Sequence, residues 1–182
     1  MRRSPRLALA ALALALVAAA PSASSSPPAT YRMKGTLVVA GTALDREMEL
    51  RADAVAEPGP GPGDVVLRLG SQGYECRLAA RRDRDGALAF APGQVCVLDI
   101  RSPDANGRVE VRLKSGRGRL REEDLSLALA SDVSGALTIG SGQPIQVLGR
   151  TVPGTGGAEI PVRGEARATA EGRRDRSRAA ER

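Results

Sequence analysis

Apolar and polar side chains alternate with a period of two along most of this chain, and that rhythm restricts what it can fold into. Val109, Val111 and Leu113 are interleaved with Arg108, Glu110, Arg112 and Lys114. In an extended strand successive side chains project to opposite faces, so such a segment buries one side and wets the other. A helix would scatter the same residues around its circumference. Leu125, Leu127 and Leu129 repeat the pattern, as do Val65, Leu67 and Leu69, then Tyr74, Cys76 and Leu78, then Cys96, Leu98 and Ile100. Residues 33–39, 48–55, 145–148 and 160–170 are less regular but read the same way. Turn formers separate these runs: Gly41-Thr42, Asp85-Gly86, Pro92-Gly93, Asn106-Gly107, Ser115-Gly116, Ser134-Gly135 and Gly140-Ser141-Gly142. The prediction is an all-β fold, an antiparallel sandwich or barrel of about 8 to 10 short strands.

Two segments compete with that reading. Arg121-Glu122-Glu123-Asp124 and the Leu/Ala run after it have good helix propensity, as does the Ala/Arg/Glu-rich stretch 164–181. Strict alternation of leucine favours a strand in the first. In the second, the arginines past Gly172 repel one another and present no apolar stripe, which predicts a disordered basic tail over 173–182. Glu57-Pro58-Gly59-Pro60-Gly61-Pro62-Gly63-Asp64 is expected to stay out of any ladder, because proline lacks a donor and glycine lacks stiffness.

At the N-terminus Arg2, Arg3 and Arg6 precede an apolar run from Leu7 that closes on Ala18-Ala19-Ala20. That is the pattern of a secretory signal peptide. The run from Leu7 to Ala20 is 14 residues, whereas a membrane-spanning helix needs about 20. Proline is a poor first mature residue because its ring constrains the strand a peptidase grips, so cleavage is expected past Pro21, near Ala23 or Ser24. The resulting organisation is a signal peptide over 1–24, a flexible leader over 25–30, one β domain over 31–172 and the tail. Roughly 140 residues are enough to bury a core in a single domain.

The net charge of +6 invites a nucleic-acid reading, which its distribution removes. The signal region holds three arginines and no acid, residues 173–182 hold five arginines against Asp175 and Glu181, and the 19 basic residues between are matched by 19 acidic ones. A phosphate-tracking surface needs uncompensated Lys and Arg on one face. The ratio of 25 arginines to 2 lysines, with abundant alanine and glycine, points to a GC-rich bacterial genome; export then means the periplasm or the medium.

Cys76 and Cys96 are the only cysteines, each in phase with apolar strand neighbours, and in an exported chain they are expected to form a disulfide. Closing a loop of that size stabilises by roughly 3 kcal/mol in the chain-entropy account. The chain has no histidine, which removes Ser-His-Asp and Cys-His catalysis, histidine general bases and most zinc sites. A Ser-Lys pair is left only Lys34 or Lys114. Asp132-Val133-Ser134-Gly135 lacks the middle residue and the second copy of an aspartic-protease triplet, and is read as a turn. Asp83 and Asp85 beside Gly86 lack the remaining ligands of an EF-hand loop and suit a hairpin. Glu122, Glu123 and Asp124 suit a solvated turn, since the chain offers no tryptophan and few aromatics as a sugar platform.

Arg112, Lys114, Arg117, Arg119 and Arg121 are the remaining cluster, read as a charged outer face with an anion-binding patch as the sharper alternative. No metal and no cofactor is expected, and no enzyme activity. The expected function is an exported, non-catalytic β domain with a structural or protein-interaction role in the bacterial cell envelope. The alternative is a carrier of an apolar, lipid-like ligand in a β-barrel or half-barrel. Expected partners are thus another protein or an apolar small molecule, with no nucleic acid and no membrane-spanning segment.

Overall fold

The computed structural model describes residues 28–41, 46–71, 73–101, 105–140, 145–147, 150–152 and 157–177. The expected signal peptide, over 1–24, and the end of the tail, over 178–182, lie outside them. Among the described residues are eleven strands: β1 (Ala29–Gly41), β2 (Arg46–Pro58), β3 (Asp64–Ser71), β4 (Tyr74–Arg82), β5 (Ala87–Phe90), β6 (Val95–Arg101), β7 (Ala105–Leu120), β8 (Asp124–Ile139), β9 (Ile145–Val147), β10 (Arg150–Val152) and β11 (Glu159–Arg174). β9 and β10 form a separate two-stranded ribbon.

The remaining strands run in the order β5-β4-β3-β2-β1-β11-β8-β7-β6, all antiparallel, and β5 also pairs with β7. That second pairing, Ala87↔Arg119 through Ala89↔Arg117, closes eight strands into a barrel and leaves β6 as an extra strand on β7. A barrel rather than a sandwich is therefore the solution. Pairing steps from Cys76 to Leu69, Ala54, Tyr31 and Arg174, then on across β8, β7 and β5, and returns to the level of the Asp85-Gly86 turn. A stagger of about ten residues means strongly tilted strands.

Closure is complete at one end only. β2 pairs with β3 only from Asp53 to Pro58, so its first residues have β1 alone as a neighbour. On the other flank β6 follows β5 along β7 after the Pro92-Gly93 bend, where Gly93 takes φ +85°. Away from the closed end the sheet is consequently a six-stranded half-barrel, β2-β1-β11-β8-β7-β6. Two contacts hold the β4–β6 flank where no backbone ladder does. The Gln94 amide accepts from Ala79 N at 2.6 Å and donates to Ala79 O at 2.9 Å, imitating a strand neighbour. Cys76 and Cys96 then form the disulfide, with Cα atoms 5.2 Å apart.

Several expectations need correction. The strands are not uniformly short: β7, β8 and β11 are each 16 residues. Asn106-Gly107, Ser115-Gly116 and Ser134-Gly135 are not turns but lie inside β7 and β8, and with the last goes the turn reading of Asp132-Val133-Ser134-Gly135. Gly116 serves by its missing side chain. A Cβ there would lie 2.9 Å from Leu129 Cδ2 and 3.0 Å from Phe90 Cδ2. Between Leu113, paired with Ser131, and Ser115, paired with Ala130, Lys114 is left without a ladder partner, and this bulge moves the inward phase from Val109, Val111 and Leu113 to Gly116, Gly118 and Leu120. Asp85-Gly86 and Pro92-Gly93 do turn the chain, and β5, too brief to show a period, escaped the sequence reading.

The leader expected over 25–30 gives way at Ala29, which pairs with Ala56, while Thr30 pairs with Val55. Likewise the tail expected to be disordered from Arg173 continues β11 through Arg174, paired with Tyr31. Beyond it Asp175 N donates to Thr30 O at 2.7 Å, and Arg176 pairs with Glu123 at 2.7 Å. Ladder partners on both sides outweigh the repulsion among arginines. In the Pro/Gly stretch, Glu57, Pro58 and Asp64 do join the ladder. Gly59 N donates to Asp64 O, on the β3 side, so the donor missing at Pro58 faces the other way, past the end of β1 pairing.

Candidate functional site

The inward residues divide along the barrel axis. At the closed end Tyr31, Met33, Leu67, Leu78, Leu88, Phe90, Leu120 and Leu125 meet in one core, with Leu67 at 0% and Leu125 at 1% exposure. Tyr31 seals it: its hydroxyl donates to Arg121 O, on the β7–β8 turn, at 3.2 Å. Burial pushes the Tyr31 phenol above its ordinary range, against the opposing pull of Arg174 and Arg82.

In the half-barrel the inward phase is still aliphatic but differently covered. Val109, Leu137 and Val162 form a second cluster with Leu98, Ile100, Val111 and Val133 against it. Across the trough, Leu37 and Val39 of β1 and Met48 of β2 keep the inward phase of Tyr31 and Met33, with Leu37↔Met48 as register partners. All three are half-buried and belong to neither core. Ser131 is the one polar residue buried as a whole among the described residues. Among the described residues no strand faces this aliphatic floor in the way that β3, β4 and β5 face the closed end.

On the outside, the five-residue basic cluster is split by the bulge. Lys114 is held by Glu165 at 2.9 Å and Asp132 at 3.3 Å. The pairing lowers the Glu165 carboxyl and raises Lys114, so this lysine is unsuited to activating a serine. Arg112 faces Asp132 in the register. Arg117, Arg119 and Arg121 instead line a surface groove with partners the sequence reading missed, Lys34 and Arg32 of β1 and Arg173 of β11. Those lie about 80 residues or more away along the chain for β1, so no local spacing could reveal them.

Gly35, Ala170, Leu127 and Gly118 form one row across β1, β11, β8 and β7. A Cβ at Gly118 would lie 2.5 Å from Ser126 O, and one at Gly35 would run into Thr169 O, so the strands pack closely along this row. The same row borders a hollow of about 730 Å³. A second stretch of about 740 Å³ adjoins it and shares Lys34, Arg119, Ser126 and Glu171.

Two of the carboxylates singled out from sequence, Asp83 and Glu123, have partners within the fold. Asp83 Oδ1 accepts from Asp85 N and Ala87 N at 2.9 and 2.8 Å. Glu123 is engaged by Arg176, which holds its carboxyl below the usual range. No group of three or more metal-ligating side chains occurs among the described residues, nor a helix long and apolar enough to cross a membrane. No protein family, no curated protein and no solved structure matches this chain.

Proposed function

We propose that the chain is an exported, non-catalytic β-barrel that holds an apolar, lipid-like molecule in its half-barrel. Of the two functions expected from the sequence, carriage of an apolar ligand suits the geometry better than a purely structural role. One observation carries the reading: Leu37, Val39 and Met48 point into the trough, half-buried, and pack in neither core. An aliphatic wall left partly wet gains about 25 cal/mol per Å² when a ligand covers it. Acyl chains suit such a wall, being flexible, aliphatic and without need of hydrogen-bond partners; each buried methylene contributes about 0.8 kcal/mol. The disulfide is consistent with an oxidising, exported location.

Titration of the purified protein with a fluorescent fatty acid tests the reading, together with native mass spectrometry of the protein as isolated. Saturable one-to-one binding is expected, weakened roughly tenfold or more by Leu37→Glu or Met48→Lys through burial of an unpaired charge. Absence of saturable binding, together with a lipid-free mass, overturns it.

A further inference from the structure

The outer groove has a composition that calls for a ligand of its own, independent of the trough. Its two walls are basic: Lys34 on β1, with Arg32 beside it already paired to Asp175 at 2.8 Å, and Arg117, Arg119 and Arg121 on β7. β11 and β8 lie between, so the walls stand about 14 Å apart at three strand spacings. The floor carries short side chains, Ser126 and Ala128 of β8 and Thr169 of β11, and two acids, Glu171 of β11 and, at the Arg121 end, Asp124 of β8. In the register Lys34 faces Glu171, Glu171 faces Ser126, and Ser126 faces Arg119. Lys34, Arg117, Arg119 and Arg121 have no ion pair within 4 Å among the described residues, in contrast to Lys114 in the bulge. Their charge is available to a ligand in the hollow they line.

We propose that this groove binds a linear acidic polysaccharide, one that carries carboxylates and free hydroxyls along the same chain. The two cationic walls pair with the carboxylates, bidentately where arginine is used. Glu171 and the Ser126 and Thr169 hydroxyls accept hydrogen bonds from sugar hydroxyls, a function that a polymer of phosphates alone leaves unused and that Glu171 would repel. Nucleic acid fits less well for a second reason: single strands are gripped by stacking on aromatic side chains, and the groove has none. Tyr31 and Phe90 are buried in the closed core. A flat anionic membrane would not reach a floor recessed between two rows of long side chains.

The test uses the full chain with its disulfide formed, applied at low ionic strength to immobilised polygalacturonate, with polyphosphate and single-stranded DNA as competitors. Retention that fades as salt rises is expected, since exposed charges are screened beyond about 10 Å at 0.1 M salt. Arg117→Glu combined with Arg119→Glu should weaken binding roughly tenfold or more, and Lys34→Glu, on the opposite wall, severalfold. Arg101→Glu combined with Arg108→Glu changes net charge equally on β6 and the start of β7, away from the groove, and should leave binding within about twofold. Glu171→Gln should improve polyphosphate as a competitor relative to polygalacturonate. The proposal falls if wild type is not retained, if both arginine pairs weaken binding equally, or if polyphosphate or DNA competes as well as the uronate polymer against wild type. Should the Arg117/Arg119 variant fail to fold, judged by circular dichroism and thiol titration, unchanged binding by Lys34→Glu overturns it as well.

Discussion

Tyr31 and Met33 of β1 are buried in the closed core, whereas Leu37 and Val39, the next inward positions but one on the same strand, are only half-buried and face a trough that no described strand covers. Both pairs belong to one alternating run, so hydrophobicity does not separate them. The opposing wall does. Leu67 of β3, Leu78 of β4 and Leu88 of β5 reach across to the first pair, but the β3–β4 hairpin is spent at Ser71 and Tyr74 before it can cover the second. A barrel stave buries its inward side chains fully only where another stave faces it; where none of the described strands does, the same kind of residue stays half-buried.

The largest test of that difference is a pair of truncations measured by urea unfolding. Leu67→Ala, at a fully buried site, should cost about 2–5 kcal/mol through lost contacts and a residual cavity. Leu37→Ala should cost under about 1 kcal/mol because solvent already reaches it. Equal costs would mean that the trough is as well packed as the closed core, and the contrast would dissolve.

Next in size is the clamp between the halves. Replacing Cys76 and Cys96 with alanine opens a bridge spanning a sequence separation of 20, and should lower stability by roughly 3 kcal/mol. Because the β4–β6 flank has only Gln94 besides the disulfide, amide hydrogen exchange should rise first in β6 and the start of β4. Uniform acceleration across β1 and β11 would show that the bridge acts only on the unfolded chain.

The smallest effect concerns Tyr31. Its phenol is raised by burial from an ordinary value of 10.0, so the folded state holds the proton more tightly than the unfolded state. Its contribution is therefore complete below pH 10 and is lost as pH rises through the folded value. Tyr31→Phe should cost about 1 kcal/mol at neutral pH, the worth of the hydrogen bond to Arg121 O, and should flatten this alkaline decline. A variant with the same alkaline decline as wild type would remove Tyr31 as the seal.

The candidate sites were legible in unequal measure. Cys76 and Cys96 could be paired from phase and number. Arg117, Arg119 and Arg121 could be seen as one row, but their separation from Arg112 and Lys114 depends on a bulge, and Ser115-Gly116 reads locally as a turn. The interruption falls at Lys114, which nothing in the local sequence marks, and only the pairing with β8 tells a bulge there from a turn at Ser115-Gly116.

From the residue order alone came the β class, the inward faces of most strands, the disulfide and the elimination of imidazole chemistry, because these follow from local geometry and from which atoms are present. Closure of β5 onto β7, the opening of the trough and the joining of Lys34 to Arg119 came from the tertiary structure. Each rests on strand neighbours far apart in the chain, and a period of two says which way a side chain points without saying what it will meet.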